Sequence, residues 1–88
     1  MIVKTRKRFF QDLENIRSLD VFDEIEAAFD AAHQAESLSE IPGFKRLVHH
    51  PNWGRIRVEG YRIGVEINGD TEIFCCVLPR DVVYSQFP

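Results

Sequence analysis

Two runs of strict alternation, Arg55-Ile56-Arg57-Val58-Glu59 and Tyr61-Arg62-Ile63-Gly64-Val65-Glu66-Ile67, stand either side of Gly60. A period of two is the period of a strand, and two residues, Glu59-Gly60, suffice to turn one strand back on the other. That turn sets Val58 opposite Tyr61, Arg57 opposite Arg62, Ile56 opposite Ile63 and Arg55 opposite Gly64. One face of the hairpin then carries Ile56, Val58, Tyr61 and Ile63, and the other carries Arg57, Arg62 and Arg55. Burying the first face forces the arginines onto the second. Asn68-Gly69-Asp70 marks a further turn. A three-residue loop there pairs Val65 with Ile73, Ile63 with Cys75 and Tyr61 with Val77, which keeps the core face apolar. A two-residue loop that sets Val65 opposite Glu72 is the less favourable reading. Ile73–Leu78 is continuously apolar, as suits a strand covered on both faces, and Pro79 ends it. In the preferred register Cys76 and Leu78 share the arginine face, and alternation carries Arg80 there too.

The first half of the chain has a helical period. Ile2 and Val3 suit a short opening strand. From about Arg6, Phe9, Leu13 and Ile16 recur at i, i+4, i+7, with Phe10 widening the stripe. Arg17–Asp20 reads as a connection with Asp20 as the N-cap of a second helix, whose first turn holds Asp23 and Glu24. Phe22, Ile25, Phe29 and Ala32 form its apolar stripe, and it frays near 33–36. Ile41-Pro42-Gly43 stops any helix. The expected fold is therefore α+β: an N-terminal αα-hairpin packed on one face of a small, mainly antiparallel twisted sheet, with the arginine face left uncovered. The 88 residues suit a single domain, 1–88. No apolar run approaches the ~18 residues of a membrane span, and no membrane partner is expected. The N-terminus lacks the apolar core of a secretory leader. The two cysteines, Cys75 and Cys76, are adjacent, which excludes a disulfide framework and a four-cysteine zinc site. A cytoplasmic chain with no metal and no cofactor is the simplest expectation.

The net charge of −3 conceals a segregation. Residues 12–40 hold Asp12, Glu14, Asp20, Asp23, Glu24, Glu26, Asp30, Glu36 and Glu40 against one base, Arg17. Residues 41–62 hold Lys45, Arg46, Arg55, Arg57 and Arg62 against one acid, Glu59. A ligand meets this local field and not the average. Two like charges ~5 Å apart across a ladder repel by about 1 kcal/mol in water and about 3 kcal/mol at an effective dielectric near ~20. Such a face is well suited to an anion, because guanidinium forks match phosphate oxygens in pairs and stack on bases. The plainer alternative is that the long side chains splay into solvent.

GRIRVEGYRIGVEI (54–67), followed by an apolar strand and PRDVVYSQFP (79–88), resembles the RelE/ParE superfamily of type II toxins. FFQDLENI (9–16) and SLSEIPGFKRL (37–47) resemble its first helix and the approach to its first long strand. The resemblance implies a RelE-like fold and a toxin neutralised by a cognate antitoxin, with operator DNA bound through the antitoxin complex. On the RelE side it implies metal-independent, ribosome-dependent cleavage of mRNA by attack of a 2′-hydroxyl on the adjacent phosphate. It assigns Arg62, Arg80 and Tyr84 as catalytic, and Arg55 and Arg57 as RNA-binding where RelE has lysines. Lys45 and Arg46 extend that basic surface. Trp53 is either a base-stacking platform or a packing anchor. His49 and His50 are acid–base candidates, since imidazoles titrate near neutrality. Retention of Arg62, Arg80 and Tyr84 favours the nuclease. A ParE-like gyrase inhibitor, an inactive antitoxin-binding homologue and a scaffold for a small anion stay open.

Overall fold

A computed structural model describes residues Met1–Pro88. Strand β1 (Ile2–Thr5) leads into helix α1 (Lys7–Leu13) and helix α2 (Leu19–Gln34), and a single 3-10 turn at Leu38–Glu40 precedes β2 (Phe44–Leu47). Strands β3 (His50–Val58), β4 (Tyr61–Asn68) and β5 (Thr71–Pro79) follow, and helix α3 (Arg80–Gln86) closes the chain. The strands form one sheet in the order β1-β5-β4-β3-β2. Only β1 runs parallel to its neighbour; β2, β3, β4 and β5 are successively antiparallel. The α+β expectation holds, with a mixed sheet of five strands.

The helical hairpin covers one sheet face. Val21, Ile25, Ala28 and Ala32 of α2 are buried with Phe9, Ile56, Val58, Ile63, Val65, Phe74 and Val77 in one core. Phe9 and Phe29 set ring edges against Phe74, with centroids 5.6 and 5.1 Å away. Two N-terminal details differ from the sequence reading. The α2 N-cap is Ser18, whose hydroxyl accepts the Val21 N–H at 3.3 Å, and Asp20 lies inside the first turn. The earlier start brings Leu19 and Asp20 into the helix, and its buried stripe is Val21, Ile25, Ala28 and Ala32. Helix α1 stops at Leu13, yet Ile16 stays buried because tight turns bond the N–H groups of Glu14, Asn15 and Ile16 back to Gln11, Asp12 and Leu13.

The β3–β4 register is the expected one: Val58↔Tyr61, Arg57↔Arg62, Ile56↔Ile63, Arg55↔Gly64. The β4–β5 register corrects the expected three-residue loop. Asn68 pairs with Thr71, so the turn is Gly69-Asp70, with Gly69 in the left-handed region at φ 63°. Val65 then faces Phe74, and a bulge beside Gly64 inserts Cys75 as an unpaired residue, after which Ile63 faces Val77. The Val77 N–H donates to Asp12 Oδ2 at 3.0 Å. This register places Phe74, fully buried, under the aromatic rings of both helices. It also carries Glu72 into the core, where its relative exposure is 0%. Burying a Phe ring stabilises by about 2–3 kcal/mol, which offsets much of the cost of the carboxyl.

The second face is not left bare. Helix α3 folds back across it, packing Val83 and Phe87 against Cys75, Cys76, Trp53 and Leu78. Gly64 makes this possible: a Cβ there would lie 2.7 Å from Cys76 Sγ and 2.8 Å from the Phe87 ring. The arginine face is therefore half occupied, and the free cations are displaced toward its β2 and hairpin edges.

Candidate functional site

Gly43 organises the basic surface. Its φ of 79° is a left-handed conformation, and a Cβ there would meet the Arg57 carbonyl at 3.0 Å. The Gly43 carbonyl accepts the Arg57 backbone N–H at 3.1 Å and the Arg55 guanidinium at 2.7 Å. At the hairpin tip, the Arg62 guanidinium donates to the carbonyls of Tyr61 (2.8 Å) and Glu59 (3.1 Å). The Arg80 N–H donates to the Gly60 carbonyl at 3.0 Å, which ties the start of α3 to the same tip. These bonds hold guanidinium stems by backbone carbonyls and leave further N–H groups free.

Two depressions result. The first, of ≈ 520 Å³, is lined by Arg57, Arg62 and Arg80 together with Glu24, Pro42, Gly43 and Glu59. The second, of ≈ 390 Å³, brings together Lys45, Arg46, His50, Arg55 and Tyr84, walled by Leu47, Val48, Phe87 and Pro88. Arg55 and Arg57 are two apart on β3, and Arg80 and Tyr84 stand at i and i+4 on α3, so the depressions are consecutive parts of one strip. The structure thus gathers Arg55, Arg57, Arg62, Arg80, Tyr84, Lys45, Arg46 and His50.

Two nominated residues are not gathered. Trp53 is half-buried and meets Phe87 edge-on at 5.2 Å, so it anchors α3 and lines neither depression. Of the alternatives read for it, packing is the one the geometry supplies. His49 occupies the β2–β3 turn at φ 67° and lines neither depression. Arg80 reaches the site from the first turn of α3 and not along an extended strand, because β5 ends at Pro79.

Two of the three ion pairs lie away from the strip. Arg6 bonds Glu66 at 2.7 Å and Arg8 meets Asp12 at 3.4 Å. Arg80 and Asp81 approach to 3.6 Å in the open, a contact worth little. Arg55, Arg57, Arg62, Lys45 and Arg46 have no carboxylate partner; Arg46 donates instead to the Pro51 carbonyl. Their charges are available to an anion.

Sequence reasoning missed Glu24 as a site residue, placing it only as a first-turn acid of the second helix. Partial desolvation pushes its pKa up, and the neighbouring Glu59 carboxyl adds to the shift. Only the packing of α2 beside the hairpin tip could reveal that proximity. Burial raises both thiols, Cys76 to about 11, so neither is an activated nucleophile. No three His, Cys, Asp or Glu side chains stand together as a metal-ligating group.

A basic β-hairpin, a helical pair on one sheet face and a short C-terminal helix delivering Arg and Tyr to the other make a small α+β protein with a cationic strip suited to a phosphate backbone. No family model matches the chain. A curated relative, Toxin RelE3 of Methanocaldococcus jannaschii, is 36% identical over 89 residues, spanning 100% of both chains. The RelB–RelE antitoxin–toxin complex from Methanococcus jannaschii superposes with a TM-score of 0.81 at 34% identity, covering 97% of this chain and 99% of that one. YafQ from E. coli (TM-score 0.62, 8% identity, 91% and 93% covered) shares the fold alone. The chain belongs to the RelE family of type II toxins.

Proposed function

We propose that this toxin is a metal-independent mRNA endonuclease working on the ribosome. The observation that carries this reading is the directly opposed pair Arg57 and Arg62, joined by Arg80 in one depression and unpaired with any carboxylate except at the exposed Arg80–Asp81 contact. Three guanidiniums around one depression suit a phosphate whose charge grows during reaction. The 2′-hydroxyl oxygen attacks phosphorus, the bond to the 5′-oxygen breaks, and the products are a 2′,3′-cyclic phosphate and a 5′-hydroxyl. Arg62 and Arg80 stabilise the pentacoordinate phosphorane by preorganised charge, and Arg57 holds the same phosphate. Arg55, Lys45 and Arg46 bind the adjoining backbone, and Tyr84, exposed over the second depression, stacks on a neighbouring base.

The partner we propose is a cognate antitoxin; the M. jannaschii relative was solved with its RelB antitoxin. An antitoxin covering the strip would neutralise the same cations that hold RNA, and the complex would carry the toxin to operator DNA. We place this activity in the cytoplasm, where ribosomes and mRNA are; no helix is long and apolar enough to cross a membrane.

The test is inducible expression followed by primer extension on an abundant transcript. Cuts that need translating ribosomes are expected, and Arg62→Ala should lower cleavage at least ~100-fold while keeping the wild-type circular dichroism. Intact mRNA accompanied by DNA-damage signalling would point to gyrase and overturn the nuclease reading.

A further inference from the structure

The proposed cleavage needs a group to take the proton of the attacking 2′-hydroxyl. None of the three guanidiniums around the first depression can do so, because Arg stays protonated throughout the physiological range. His50 and Tyr84 line the second depression, with Arg55, and not the one that holds Arg57, Arg62 and Arg80. The only side chains lining that depression with a basic oxygen are Glu24 and Glu59. We propose that the Glu24–Glu59 carboxyl pair is the proton acceptor of this site, a deepening that rests on the nuclease reading above.

Three observations support it. The carboxyls come from independent elements, Glu24 from the second turn of α2 and Glu59 from the β3–β4 turn, yet share one depression with the arginines. Neither forms an ion pair with Arg57, Arg62 or Arg80, so space remains between the two signs of charge. A phosphate on the guanidiniums would present its neighbouring ribose to the carboxylates. Third, Glu59 is fixed relative to the phosphate site, since the Arg62 guanidinium donates to its carbonyl. Desolvation, with the neighbouring Glu59 carboxyl adding to it, pushes the Glu24 pKa up. An upward shift at Glu24 makes it a better proton acceptor than an unperturbed carboxylate, which favours base catalysis.

In the step, the 2′-O–H bond breaks with its proton passing to a carboxylate oxygen. The 2′-oxygen lone pair forms the bond to phosphorus. The electron pair of the P–O5′ bond leaves on the 5′-oxygen, which takes a proton from water, and the carboxylic acid returns its proton to solvent. No oxidant, reductant or metal enters the balance.

The experiment compares the wild type with Glu24→Gln, Glu59→Gln and the double variant on ribosome-bound mRNA under single-turnover conditions. Affinity is measured in parallel with a 2′-deoxy oligonucleotide that cannot be cut. The double variant should lose ~100-fold or more in rate. It should also lose the acid limb of the pH–rate profile while binding the 2′-deoxy probe at least as tightly as the wild type, since two negative charges are gone. A double variant that folds, binds and cleaves at the wild-type rate with an unchanged pH profile overturns the assignment. A double variant that loses probe affinity in parallel with rate overturns it too, since the pair would then be structural. A wild type that leaves ribosome-bound mRNA intact instead removes the nuclease reading itself, so the two failures are separable.

Discussion

Glu72 is the residue that most departs from ordinary packing rules. It is fully buried, and neither carboxylate oxygen has a hydrogen-bond partner. Burial pushes its pKa from 4.5 up to about 7, and the N-terminal ammonium opposes the shift. That ammonium is itself held by the carbonyls of Ala32, His33 and Ala35 at the end of α2, the closest at 2.6 Å. A folded-state pKa above the unfolded one means the folded chain holds the proton more tightly. The stability this supplies is complete below pH ~4.5 and is lost as pH rises through about 7. The change is on the order of 3 kcal/mol, from ~1.4 kcal/mol per pKa unit. Urea unfolding at pH 5 and pH 8 checks it: the wild type should lose stability between them, and Glu72→Gln should lose far less.

At the scale of elements, α3 is the piece on which the site turns. Its seven residues carry Arg80 and Tyr84, and it is held to the sheet by Val83 and Phe87 over Gly64 and Cys76. So short a helix has no stability of its own, and packing alone holds it. Phe87→Ala should cost about 3 kcal/mol and loosen α3. Trp53, whose ring meets Phe87 at 5.2 Å, reports the event directly. Its fluorescence should shift to the red and cleavage should fall, while the hairpin register remains. An unshifted Trp53 spectrum would mean that α3 is held by something other than this contact.

For the molecule as a whole, the segregation of charge matters more than its sum. The net charge of −3 is borne largely by α2 and its flanks, whereas the strip from Lys45 to Arg80 is locally cationic. Binding to RNA should therefore weaken steeply with salt despite the acidic total. Each phosphate contact contributes roughly −0.7 to the slope of log affinity against log salt for a single strand. Arg55→Gln and Lys45→Gln should each reduce the slope by about that amount, measured by fluorescence anisotropy on a 2′-deoxy oligonucleotide. A slope indifferent to both substitutions would place the nucleic acid elsewhere.

Much of this was legible in the chain itself because it depends on neighbours in sequence. Alternation and a two-residue turn determined the β3–β4 register, and with it the opposition of Arg57 and Arg62. Helical spacing determined the αα-hairpin that claims the other sheet face. The β4–β5 register was not legible, since Asn68-Gly69-Asp70 permits more than one turn and the choice fell to Phe74, which needs the rings of Phe9 and Phe29. That same choice buried Glu72. Nor could periodicity show that α3 returns across the arginine face, because its docking depends on a gap at Gly64 that exists only once the sheet has formed. The meeting of Glu24 with Glu59 belongs to the same class. Local pattern determines which face of each element is apolar, whereas contacts between distant residues arise from how those faces pack, and that is decided by the whole core at once.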